Sequence, residues 1–165
     1  MFDRSRRNMF KRRRNPELQR LPWVIDEAFF TESCTRCNKC ISACEPQVIV
    51  KGDGGFPTID FNHGDGECTF CYRCAEACPE SLFHPQTDTP WELKAQINQR
   101  CLAYNKIECR SCGDMCGVQA IHFRPQAGGV ALPDLNAEDC TGCGACLSVC
   151  PTSAIAMVIN EAEEK

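Results

Sequence analysis

The chain has 165 residues, 16 cysteines and a net charge of −4. Its length suits one ordinary domain, and residues 1–33 hold no apolar run long enough for a signal sequence or a membrane span. A secreted, disulfide-stapled domain is therefore disfavoured, because cystine frameworks need export to an oxidising compartment; a cytoplasmic chain with no transmembrane segment is expected.

Residues 1–20 carry eight Lys/Arg against Asp3 and Glu17, a net of +6, so the remainder carries about −10. This segregation predicts a flexible basic arm, taken as residues 1–29, on an acidic body. Arg6, Arg7, Arg12, Arg13 and Arg14 are its candidate partner contacts, with an acidic protein surface or anionic lipid as the docking chemistry. Ser5-Arg6-Arg7-Asn8-Met9-Phe10-Lys11 is like a twin-arginine export signal, but Lys11-Arg12-Arg13-Arg14 stands where the apolar segment should follow. No motif that reads bases accompanies the arm, so nucleic acid is not an expected partner.

From residue 34 the cysteines dominate. Cys34, Cys37, Cys40 and Cys44 form a C-x2-C-x2-C-x3-C run, repeated at Cys68, Cys71, Cys74, Cys78 and at Cys140, Cys143, Cys146, Cys150. This is the bacterial ferredoxin spacing for [4Fe–4S] cubes: three thiolates wrap one cube and the fourth reaches a neighbouring cube. Zinc would favour two separated C-x2-C knuckles. Between the first two runs, Gln47–Lys51 and Phe56–Phe61 flank Gly52-Asp53-Gly54-Gly55, the pattern of a β-hairpin. After the second run, Thr89 as cap, Pro90 at the first helical position and Glu92 predict a connecting helix within 87–99. The third group is irregular: Cys109, Cys112 and Cys116, with Cys101 outlying and Lys106 where a first cysteine should stand. A second hairpin is expected from Ala120–Phe123 and Val130–Leu132, before the final run and an acidic tail at 161–165.

A shift of 72 positions superimposes the cysteines without a gap, for instance Cys37 on Cys109, Cys78 on Cys150 and Pro79 on Pro151. A fixed period of this kind means one module used twice. The expected fold is α+β: two tandem bacterial ferredoxin-like modules, residues 30–86 and 100–160, built around [4Fe–4S] clusters. Units of about 57 residues bury little surface and commonly need metal staples, so the iron-free chain is expected to be largely unfolded. Crossed ligation gives three complete shells: Cys34, Cys37, Cys40 with Cys78; Cys68, Cys71, Cys74 with Cys44; and Cys140, Cys143, Cys146 with Cys116. Cys109, Cys112 and Cys150 then await Cys101. A fourth cube, a three-iron or labile cluster, and an empty site all stay open there. His63, His84 and His122 are expected to be structural or surface residues. No nucleophile–base pair or paired carboxylates stand out, so no enzymatic activity is expected.

Leu21-Pro22-Trp23, the Lys51–Pro57 turn, Gly66-Glu67-Cys68-Thr69-Phe70-Cys71, Cys109-Arg110-Ser111-Cys112 and Cys140-Thr141-Gly142-Cys143-Gly144-Ala145-Cys146 together resemble the NapF family of ferredoxin-type proteins, over about residues 20–158. The resemblance implies a cytoplasmic accessory protein of the periplasmic nitrate reductase system. Such a protein contacts the molybdenum-containing catalytic subunit NapA before export and assists maturation of its iron–sulfur cluster. It also implies cubes on the three regular runs and says least about the third group. Proline does not directly follow Cys44 or Cys116, a departure from the usual run. The competing reading is a multi-cluster electron carrier or relay subunit of a redox complex.

Overall fold

The computed structural model describes residues 19–159; Arg6, Arg7, Arg12, Arg13 and Arg14 and the acidic tail lie outside the described residues. In chain order come α1 (Glu27–Ser33), α2 (Lys39–Ala43), β1 (Ile49–Lys51), a 3-10 turn (Asp53–Gly55), β2 (Pro57–Ile59), α3 (Arg73–Glu76), β3 (Leu93–Ile97), α4 (Ser111–Asp114), β4 (Ile121–Arg124), β5 (Leu132–Leu135), α5 (Ala145–Ser148) and β6 (Ile155–Ile159). The strands make three antiparallel pairs, β1 with β2, β4 with β5 and β3 with β6.

The ordered body begins earlier than the sequence suggests. Leu21, Pro22 and Trp23 are buried, and Val24 bridges Phe83, so residues 19–29 belong to the first module and not to an arm. Arg20 pins this entry by holding both Glu27 carboxylate oxygens, at 2.6 and 2.7 Å. Its guanidinium also lies over the rings of Phe30 and Phe56. Asp26 caps α1 by accepting from the Phe29 amide at 2.8 Å, and Glu27 in the first turn suits the helix dipole.

Both hairpins form. The first pairs Ile49 with Ile59, and the second pairs Ile121 with Leu135, its return strand starting two residues later than expected. The predicted helix at 87–99 does not form. Leu93–Ile97 is a strand, because Leu93 and Ala95 alternate inward and a five-residue ladder to β6 satisfies the backbone. Capping propensity at Thr89 and Pro90 is worth about 1 kcal/mol, less than the 1.5–3 kcal/mol, roughly, of burying Leu93. The second module therefore starts with β3, as the first starts with residues 21–25.

Two small cores result. Leu21, Val48, Ile49, Ile59, Phe61, Cys74 and Leu93 form one; Ala95, Cys112, Ala120, Ile121, Cys140, Cys146 and Ile155 form the other. β3 serves both, Leu93 in the first and Ala95 in the second. Cysteines fill positions in each core that larger apolar side chains would otherwise occupy, which ties folding to the chemistry of sulfur.

Candidate metal centre

All sixteen cysteines are free thiols, and the fold gathers them across the sequence. Cys34, Cys37 and Cys40 line one gap together with Cys78, from the far run. Cys68, Cys71 and Cys74 line a second with Cys44. Cys146 lies beside Cys140 and Cys143, and Cys116 packs against the same core cluster. Cys109 and Cys112 line a further gap with Cys150 and with Cys101. The turns at 102–106 bring Cys101 back, through Asn105 and Lys106 amides donating to Cys101, Leu102 and Ala103 carbonyls. The loop thus supplies a fourth thiol where Lys106 breaks the run.

The shape of the gaps suits a cluster. Among the described residues no three His, Cys, Asp or Glu side chains converge closely enough for a single ion. Three of the four sets line a space instead of meeting at a point, whereas a tetrahedral zinc would draw four sulfurs to about 2.3 Å of one centre.

The loops share one backbone signature. Arg36 and Asn38 flank Cys37, Phe70 and Tyr72 flank Cys71, and Gly142 and Gly144 flank Cys143; all six have positive φ. Four of these residues are not glycine and sit where L-residues are strained by about 1–2 kcal/mol each. A tight loop that turns its amides and three sulfurs toward one object requires this shape. The glycines at 142 and 144 were the available signal; Arg36, Asn38, Phe70 and Tyr72 gave none. The irregular loop differs, with Arg110 at φ −133.

Electrostatics follow burial. Desolvation pushes Cys40, Cys68 and Cys112 up to about 11, and Cys74 and Cys146 to about 12. Cys37, exposed at a loop tip, is lowered by the Lys39 amide. Backbone amides of Ala120 and Ala154 donate to Cys116 and Cys150 Sγ at 3.2 Å each, and Ala95 to Cys140 Sγ at 3.5 Å. Hydrogen bonds of this type stabilise thiolate and tune cluster potential. Asn38 Oδ1, at the rim of the first gap, is buried without a hydrogen-bond partner. Turning the amide over would place an NH2 donor where that oxygen stands. Donor chemistry and loop shape therefore fit [4Fe–4S] groups.

The histidines stand apart. His63 Nδ1 meets the Gln47 carbonyl at 2.6 Å, His84 lies 3.8 Å from Asp88, and His122 is exposed on β4.

Comparison with known proteins agrees with this geometry. The 4Fe-4S dicluster domain family matches residues 33–82 and 107–154. Ferredoxin-type protein NapF of Escherichia coli (strain K12) is 50% identical over 136 residues, covering 82% of this chain and 82% of that protein. The chain belongs to the NapF family of ferredoxin-type proteins. NapF of Haemophilus influenzae is 47% identical over 138 residues, covering 84% of this chain and 77% of that protein. The methylamine utilization ferredoxin-type protein MauM of Methylobacillus flagellatus is 26% identical over 154 residues, 84% of this chain and 66% of that protein. As a NapF-family member the chain is an iron–sulfur protein of the nitrate reductase system with [4Fe–4S] chemistry. Among the described residues, no helix is long and apolar enough to cross a membrane.

Proposed function

We propose that this chain is a cytoplasmic, non-catalytic accessory protein that binds the catalytic subunit NapA before export and assists assembly of its iron–sulfur cluster. The observation that carries this reading is the 50% identity to NapF across most of both chains. In it, Cys34, Cys37, Cys40 and Cys78 hold one cube, Cys44, Cys68, Cys71 and Cys74 a second, and Cys116, Cys140, Cys143 and Cys146 a third. Cys101, Cys109, Cys112 and Cys150 hold a fourth, supported by the gap they line together. Bound clusters supply one-electron redox chemistry; the protein binds them, shields them from water and presents them. The basic residues Arg6, Arg7, Arg12, Arg13 and Arg14 supply attraction to an acidic partner surface.

The test is genetic and biochemical. NapA precursor co-purifies with this chain, less so after removal of residues 1–20 or substitution of Cys37, and a strain lacking the chain accumulates NapA deficient in iron. Normal nitrate reductase assembly in that strain would defeat the reading.

A second reading, an electron relay, is favoured by the direct contact between thiol loops of the two modules, where the Cys68 amide bonds the Cys143 carbonyl at 2.7 Å. Rapid electron transfer from reduced protein to a defined acceptor, with NapA maturation unaffected, would favour it.

A further inference from the structure

Among the differences between the two modules is the turn that follows the hairpin. On the first, the turn 60–67 folds over Pro46 and Gln47. The Asp65 amide donates to the Pro46 carbonyl at 2.8 Å, and His63 Nδ1 meets the Gln47 carbonyl at 2.6 Å. Gly64, at φ +59, comes so near the Pro46 carbonyl that a Cβ would collide. Pro46 is buried beneath this cover.

On the second module the counterparts are Val118 and Gln119, 72 positions on. The underlying backbone is the same: Gln47 and Gln119 have φ of 57 and 55. The cover is not. Nine positions separate Ile59 from Cys68, but only five separate Leu135 from Cys140. Val118 is consequently 48% exposed, and Met115, where the first module has the smaller Ala43, is also 48% exposed. A Cβ on Gly117 would meet nothing within 4 Å. An apolar notch is left open directly beside Cys116.

We propose that the Met115–Gln119 notch is the docking site for a glycine-containing loop of a partner protein, seated as turn 60–67 is seated on the first module. This rests on the accessory-protein reading and names its contact face. The occupant's chemistry is taken from the turn that already performs the role within this chain. It brings a backbone N–H and a side-chain donor for the Val118 and Gln119 carbonyls, a glycine for close approach, and apolar contact for Val118 and Met115. A second copy of this chain is the poorer occupant. Two half-exposed side chains fall far short of the roughly 800 Å² per partner of a stable interface, and small contacts are typical of transient redox encounters. Seating there brings the partner against Cys116, one of the thiols assigned to the third cube.

The experiment measures capture of NapA precursor by the full iron-loaded chain. Met115→Lys and Val118→Asp place charge in the notch; a third variant lengthens the 136–139 turn by four residues so that the chain covers Val118 itself. Ile25→Asp, at an exposed apolar site on the first module, is the control. Iron content and melting temperature verify folding, and the turn insertion decides the matter if a charged variant loses iron. Capture weakened about tenfold or more by the notch variants and unchanged in the control is the expected result. Wild-type capture with undiminished binding by the notch variants overturns the inference and leaves the accessory reading standing. Absence of wild-type capture sinks both. A wild-type dimer that the same variants convert to monomer assigns the notch to self-association and overturns the proposed occupant.

Discussion

The Cys68 amide donates to the Cys143 carbonyl at 2.7 Å, so a thiol loop of one module is bonded directly to a thiol loop of the other. Neighbouring contacts hold this junction. Trp91 Nε1 donates to the Thr141 carbonyl at 2.9 Å. Phe61 fills the space that a side chain at Gly144 would need, and Gly66 lies against Ser148. The modules meet at their second and third thiol sets.

Gly144→Ala will separate this junction. Its φ of +91 is strained for alanine, and the added carbon collides with the Phe61 ring. A loss of about 2–4 kcal/mol is expected from strain and overpacking together. The double variant Phe61→Ala/Gly144→Ala will lose less than the two single changes combined, since the collision vanishes. Thermal unfolding of the iron-loaded protein measures both; strict additivity would refute the contact.

Cys101→Ala will lower iron from about sixteen to about twelve per chain, because the gap beside Cys109, Cys112 and Cys150 loses its fourth thiol. Lys106→Ala will leave the count unchanged. Anaerobic iron and sulfide analysis distinguishes them, and wild-type protein with about twelve irons would show that the Cys101 loop holds no cube.

Asn38→Ala will shift the midpoint potential of the first site downward. A hydrogen bond from the Asn38 amide to sulfur favours the more negative, reduced cluster, and removing it forfeits that preference. Potentiometric titration followed by electron paramagnetic resonance reads the shift, with the other sites as internal references. An unchanged potential would leave the partnerless Oδ1 unexplained.

Removing iron will unfold the chain and proceed faster in acid. Burial raises Cys74 and Cys146 to about 12 from an ordinary 9.0, so these thiols are protonated at neutral pH in the iron-free fold. Iron must displace those protons, and a falling pH lets protons compete for the ligands. Above the ordinary value the same shift further disfavours refolding without iron, since folding would have to take up protons as pH rises toward 12. Circular dichroism after chelation tests the unfolding, and the decay of visible absorbance between about pH 8 and pH 6 tests the acid dependence. Native-like dichroism without iron would contradict it.

Much of the site was legible in the residues because ligand spacing is local chemistry: three cysteines at steps of three can do little but wrap one object. The crossed partners Cys78 and Cys44 were expected from the same rule, and each lines a gap with three thiols of the other run. Arg36, Asn38, Phe70 and Tyr72 were illegible, since nothing about those side chains announces a left-handed backbone. The helix expected around Thr89 failed because capping preferences are weaker than a ladder supplied by β6, more than sixty residues away. Residues 20–29 read as arm because their partners, Phe83 and Pro57 among them, are distant in the chain.

The period of 72 shows where the two levels divide. By itself the sequence determined the cofactor chemistry and the doubled module, because both depend on residue type and spacing along the chain. Only the tertiary structure decided that equal spacing hides unequal loops: Ile49 pairs with Ile59, but Ile121 pairs with Leu135, so the second hairpin is four residues longer and the turn after it four shorter. Strand register is set by which side chains are buried and paired across space, a property that counting residues between cysteines does not contain. The same compensation uncovers Val118 and gives the first module the loop that carries Phe61 into the second.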